Sequence, residues 1–231
     1  MPGTTTSDVQ SESVVIPAGN DIELAGDLAF PAEAHGLVLF AHGSGSSRHS
    51  SRSRFVAADL NRANLATLLF DLLTEREECE ERYTRHLRFD IALLAERLIA
   101  ATDWATAHTR LEHLAIGYFG ASTGAAAALV AAASRAYRVR AVVSRGGRPD
   151  LAGDALPHVQ APTLLIIGGA DEGVIELNQE AYEALRCEKQ IAIVPDATHL
   201  FEEPGALEQV AALARAWFVD HLAPIESHAG R

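Results

Sequence analysis

The chain has 231 residues, of which 48% are hydrophobic and 22% charged, and its formal charge is −12. That is the size and balance of one domain with a single large core. The acidic surplus argues against a nucleic-acid binder, which would need a basic face. No uninterrupted apolar run is long enough for a membrane span. The opening MPGTTTSDVQSES lacks the basic and apolar regions of a signal peptide. Two distant cysteines, Cys79 and Cys187, fit reduced thiols in the cytoplasm better than a disulfide framework.

In chain order, residues 1–11 are small and polar and read as a flexible tail. SVVIPAG and IELAGDLAFP read as two strands around a Gly-Asn-Asp turn, the second an outer antiparallel strand because its sides alternate. GLVLFAHG is a continuous apolar run ending at glycine, the pattern of a strand buried on both faces. LATLLF, HLAIGYFG and VRAVVSRGG share that character, and APTLLIIGG and QIAIVP complete the strands. Helical patterns lie between them at 51–63, 86–108, 123–135, about 175–187 and 205–222. The acidic stretch 74–85, TEREECEERYTR, reads as a solvated loop or helix start. Residues 223–231 read as a second tail, leaving one domain over 12–222. Buried strands alternating with helices predict a doubly wound α/β sheet of about eight strands, mostly parallel, with right-handed crossovers.

The informative stretch is GYFGASTG, where a strand-like run meets an alanine-rich helix. Gly120-Ala121-Ser122-Thr123-Gly124 matches G-x-S-x-G, in which the glycines make room for a strained turn that lifts the hydroxyl above the sheet. A plainer reading is a tight turn whose serine caps the helix. A serine nucleophile needs a base and an acid to orient it. Of ten histidines, His199 follows the last strand, on the loop before the final helix. Asp171 follows the penultimate strand, and Asp150, after the strand before that, is the runner-up. The order Ser122, Asp171, His199 is that of α/β-hydrolases. Backbone N–H groups of Thr123 and Ser44 are placed to form an oxyanion hole. The loop HGSGSS lacks the third glycine or the Lys-Ser/Thr of a phosphate cradle. The reading therefore calls for no cofactor and no metal.

LFAHGSGSSRHS, GYFGASTG, VVSRGGRPDLAG, PTLLIIGGAD and VPDATHLFEEPGALE together resemble the small, lidless α/β-hydrolases of the dienelactone hydrolase group. In particular they resemble the branch whose members are sometimes joined to a phosphoribosyltransferase domain. The resemblance covers roughly residues 12–222. It implies an eight-stranded sheet without a cap domain, metal-free hydrolysis of acyl compounds, and triad roles for Ser122, Asp171 and His199. Dienelactone hydrolases proper use cysteine where this chain has Ser122, which points away from dienelactone itself and towards esters of small or exposed acyl groups. Thioesters, lactones, amides and peptides are alternatives on the same triad. A non-catalytic binding protein that kept the fold is the alternative of another class. The expected partner is a small-molecule ester, with neither nucleic acid nor membrane. Finally, Arg48 and Arg145 stand near the proposed site and are candidates to hold an anionic group of the substrate. Ion pairing with the protein's own carboxylates is the plainer role for both.

Overall fold

A computed structural model describes residues 9–223. The chain runs through β1 (Val9–Pro17), β2 (Glu23–Pro31), β3 (Gly36–Ala41), α1 (Ser51–Arg62), β4 (Leu65–Phe70), α2 (Glu75–Thr84) and α3 (Ile91–Ala107). It continues through β5 (Ala115–Ala121), α4 (Thr123–Ser134), β6 (Val139–Arg145), β7 (Thr163–Gly168), α5 (Glu172–Ala184), β8 (Lys189–Val194) and α6 (Ala206–Leu222). The eight strands form one sheet in the order β1-β2-β4-β3-β5-β6-β7-β8. β2 runs antiparallel to both β1 and β4, and every other pair is parallel.

Continuous apolar runs became inner strands because both faces of the sheet are covered. Every residue of β3, β4 and β7 is buried. On one face α3, α4 and α5 pack over Leu39, Leu68 and Tyr118. On the other, α1 and α6 pack over Val38, Phe119 and Ile166. Strand order reverses between β3 and β5, so the loops leaving these two neighbours open a crevice at their carboxyl ends, where ligands of such sheets bind.

Four sequence expectations need correction. Strand β1 begins at Val9, inside the expected tail, and pairs residue for residue with β2 from Val9↔Pro31 onward. Its polar start is held by backbone hydrogen bonds at an edge, not by burial. Strand β2 is not outermost, since β1 covers its outer side. The expected helix over 86–108 is broken: a 3₁₀ turn at Leu87–Phe89 precedes α3, and Asp90 caps α3 by accepting the Leu93 N–H at 3.0 Å. Residues 1–8, and the expected tail from 224 on, lie outside the described residues.

The fourth concerns 74–85, where of the two alternatives, solvated loop or helix start, the helix holds and the loop does not. Thr74 and Glu77 cap it reciprocally, the Thr74 hydroxyl accepting the Glu77 N–H and the Glu77 carboxylate accepting the Thr74 N–H. Glu81 is 1% exposed and pairs with Arg88, while also accepting the Leu87 N–H at 2.7 Å. Burial alone would push the Glu81 carboxyl up, but the Arg88 and Leu87 hydrogen bonds outweigh it and hold it below the usual range. Its contribution to stability is therefore complete above the ordinary carboxylate range and disappears as pH falls through that range. Glu81→Gln should lose about 3 kcal/mol at neutral pH, the low end for a broken buried pair because Arg88 keeps some solvent contact. Denaturant titrations of both proteins should show the gap closing in acid, and a gap independent of pH would refute this account.

Candidate active site

Ser122 stands at the corner between β5 and α4 with φ 51° and ψ −123°, a conformation costly for a side-chain-bearing residue, at about 1–3 kcal/mol. Neighbouring backbone enforces it. The Ser122 N–H reaches the Arg145 carbonyl at 3.4 Å, and the Ser122 carbonyl accepts from Arg148 and Ala125 at 3.1 Å each. Gly124 is required by the closeness of β3: a Cβ there would lie 2.2 Å from the Ala41 carbonyl oxygen. Alanine residues follow because the first turns of α4 are wholly buried against neighbours that leave no room for larger groups. Although Ser122 is the N-cap residue of α4, its hydroxyl caps no N–H. The helix-capping explanation of this serine is thus not what the structure shows.

Asp171 repeats the pattern. It is the N-cap residue of α5, yet its side chain caps nothing and instead faces His199, with Asp171 Oδ2 2.7 Å from His199 Nδ1. The carboxylate sits at the N-terminus of α5. The Ala170 N–H donates to the Ala197 carbonyl at 2.9 Å and so ties the Asp171 loop to the His199 loop. His199 lies against the end of β6: a Cβ on Gly146 would sit 3.0 Å from the His199 carbonyl oxygen and 3.6 Å from Nδ1. Ser122 is hydrogen-bonded to that same strand end. The serine and the histidine thus flank one short piece of backbone. Asp150, the runner-up, is engaged elsewhere, in a two-pronged pair with Arg148 at 2.8 Å per bond.

The loop after β3 closes over the serine. A Cβ on Gly43 would meet the Ser122 Cβ at 3.0 Å, so only glycine lets the loop approach without displacing it. The Ser44 and Thr123 hydroxyls are 3.0 Å apart, joining this loop to the start of α4. Their N–H groups, the candidate oxyanion donors, make no backbone hydrogen bond in the turns and loops of the described residues. Underneath lies a further residue of the candidate site, His42. His42 accepts the Leu72 N–H through Nε2 at 3.0 Å, and its Nδ1 lies 3.0 Å from the Gly43 carbonyl. Burial pushes His42 below the ordinary imidazole value, so Nδ1 carries the single proton and donates. The ring thereby pins the Gly43 loop to the end of β4.

Arg48 is occupied internally. Its N–H donates to Asp71 at 2.8 Å, its guanidinium pairs with Asp71, and Asp27 lies 3.8 Å from its Nε. Arg145 is buried without a carboxylate partner. The flank towards β4 has a wall the sequence reading missed. A cavity of about 520 Å³ lies between the His42–Ser47 loop and α2, lined by Glu75, Glu78, Cys79 and Arg82. The reciprocal cap Thr74…Glu77 was the signal that could have revealed this helix. Among the described residues no cap domain stands over the cleft.

The chain is similar to other proteins along most of its length. A putative phosphoribosyl transferase of Mycobacterium tuberculosis is 58% identical over 214 residues, which is 93% of this chain and 47% of that protein. The chain therefore spans about half the length of the curated relatives it matches. The crystal structure of a dienelactone hydrolase from Anabaena variabilis superposes with TM-score 0.91 at 59% identity, covering 93% of this chain and 99% of that one. Est1E from Butyrivibrio proteoclasticus shares the fold at TM-score 0.76 and 17% identity, over 92% of this chain and 99% of its own. The sequence pattern of the dienelactone hydrolase family matches residues 61–221, more than half of the chain, and the chain belongs to that family.

Proposed function

We propose that the protein is a serine carboxylic-ester hydrolase working through an acyl-enzyme. One observation carries the reading. Two polar residues at helix N-caps withhold their side chains from capping, and one of them, Asp171, orients a histidine that packs beside the strand end holding the other, Ser122. A structural serine or aspartate at an N-cap would have capped its helix.

In the proposed sequence, His199 Nε2 accepts the Ser122 proton as Oγ bonds to the carbonyl carbon. Charge developing on the carbonyl oxygen is met by the Ser44 and Thr123 N–H groups. When the intermediate collapses, the bond to the alcohol breaks and His199 returns its proton to the leaving oxygen. Water then repeats the cycle on the acyl-serine and frees the acid. Asp171 keeps the proton on Nδ1 and stabilises the imidazolium that forms transiently. With no cap above the cleft, short or exposed acyl groups suit it better than long chains.

No helix among the described residues is long and apolar enough to cross a membrane. The proposed compartment is the cytoplasm, in keeping with the unpaired Cys79 and Cys187. We assign the transferase chemistry named for the longer Mycobacterium relatives to the part of those chains outside the shared segment. In this chain the loop resembling a phosphate cradle is taken up with Ser122 and Thr123. A fluorophosphonate probe should add once to the native protein, on the peptide containing Ser122, as read by mass spectrometry. Folded protein that stays unlabelled, or is labelled elsewhere, would defeat the proposal.

A further inference from the structure

Arg97 and Arg145 are the two buried arginines among the described residues, 7% and 8% exposed. Their surroundings are opposite. Arg97 pairs with Glu77 at 2.7 Å. Among the described residues Arg145 has neither an ion pair nor a side-chain hydrogen bond. Its guanidinium lies over the Phe201 ring, 5.5 Å from the centroid. The nearby charge is a second cation, Arg52, whose own carboxylate partner is the exposed Glu202, at 3.1 Å. Burial, with Arg52 acting in the same direction, lowers the Arg145 guanidinium to about 10, which still leaves it charged at neutral pH.

A buried charge without a counter-ion is costly and is rarely retained for stability. This one belongs to a residue whose backbone borders the candidate site. Arg145 ends β6, its carbonyl accepts the Ser122 N–H, and Phe201 lies two residues beyond His199. The fully enclosed side-chain nitrogens that lack a partner are Arg48 Nε, Arg52 Nε and Arg97 Nε, with none from Arg145, so its unpaired head retains contact with solvent. With one face over an aromatic ring, the in-plane N–H fork remains free for an oxyanion. The other arginines near these strand ends are already paired, Arg48 with Asp71, Arg54 with Asp27 and Arg148 with Asp150.

We infer that Arg145 anchors an anion subsite beside Ser122 and His199, filled by a carboxylate or phosphate carried on the ester substrate. The inference rests on the hydrolase reading above. It also resolves an electrostatic difficulty, because a protein of charge −12 repels an anionic substrate unless the site itself is locally positive.

Two matched pairs of esters test it in the full chain. One pair carries the charge on the acyl side, 4-nitrophenyl hemiglutarate against its methyl ester. The other carries it on the alcohol side, 4-acetoxyphenyl phosphate against 4-acetoxyanisole. In at least one pair the anion should be preferred in kcat/KM by about tenfold or more, as a charge-assisted hydrogen bond allows. Which pair responds tells carboxylate on the acid from phosphate on the alcohol. Arg145→Met should bring that ratio to about one, whereas Arg54→Gln, which removes an arginine paired to Asp27, should preserve it. Arg145→Met should also melt no lower than the native protein, because it removes an unpaired buried charge. Ratios at or below one in both native pairs overturn the subsite while neutral-ester turnover still supports the hydrolase. A ratio that survives Arg145→Met, or a lower melting point with equal losses on both members of a pair, also overturns it and makes Arg145 a structural residue.

Discussion

Ser122→Ala should yield a folded protein that turns over 4-nitrophenyl acetate about 10⁶-fold more slowly than the native chain, since a nucleophile acts as a unit with its base. Stability should change by less than about 1 kcal/mol, because no α4 N–H donates to the hydroxyl oxygen and so no cap is lost. The strained backbone at this corner is held by the Arg145 and Arg148 contacts, which involve only main-chain atoms of Ser122. Steady-state rates and thermal melts on the same preparation decide the matter. Native-like turnover in the variant would remove Ser122 from the mechanism.

Asp171→Asn should lower kcat by about 10⁴, with a much smaller effect on KM. The amide has nearly the shape of the carboxylate but can present N–H to His199 Nδ1, which favours the wrong tautomer. The charge that would stabilise the imidazolium is also lost. Asp150→Asn is the control, since Asp150 is tied to Arg148 and does not touch His199. A large kcat loss in Asp150→Asn with little change in Asp171→Asn would reverse the assignment.

Much of the fold could be read in the chain because burial on both faces leaves uninterrupted apolar runs, as in LVLF before His42 and LLIIG before Asp171. What escaped was structure held by other means. β1 is polar at its start and is secured by main-chain pairing with β2. α2 carries charge on nearly every side, so no apolar period announced it, and only its capping pair did. At the candidate site, Ser122, Asp171 and His199 could be proposed because each follows a strand whose end was recognisable. The fate of the arginines could not be read. Arg48 meets an aspartate 23 positions away, and Arg145 meets none, and only tertiary placement separates the two cases.

The manner in which α2 is fastened has a consequence for how such a protein can diversify. Glu81 is the one buried residue of that helix, and beyond its own capping pair the helix is tied down by the Glu81 contacts with Arg88 and the Leu87 N–H and by the Glu77–Arg97 bridge. Around Ser122 the opposite holds, where a single methyl on Gly124 would drive backbone into backbone. The two sides of the cleft therefore differ in mutational tolerance. Apart from Glu77 and Glu81, residues 75–84 can be exchanged at little cost, reshaping the wall of the cleft. The corner proposed to perform the chemistry admits almost no change, so on this proposal substrate range and reaction are inherited on separable parts of the chain.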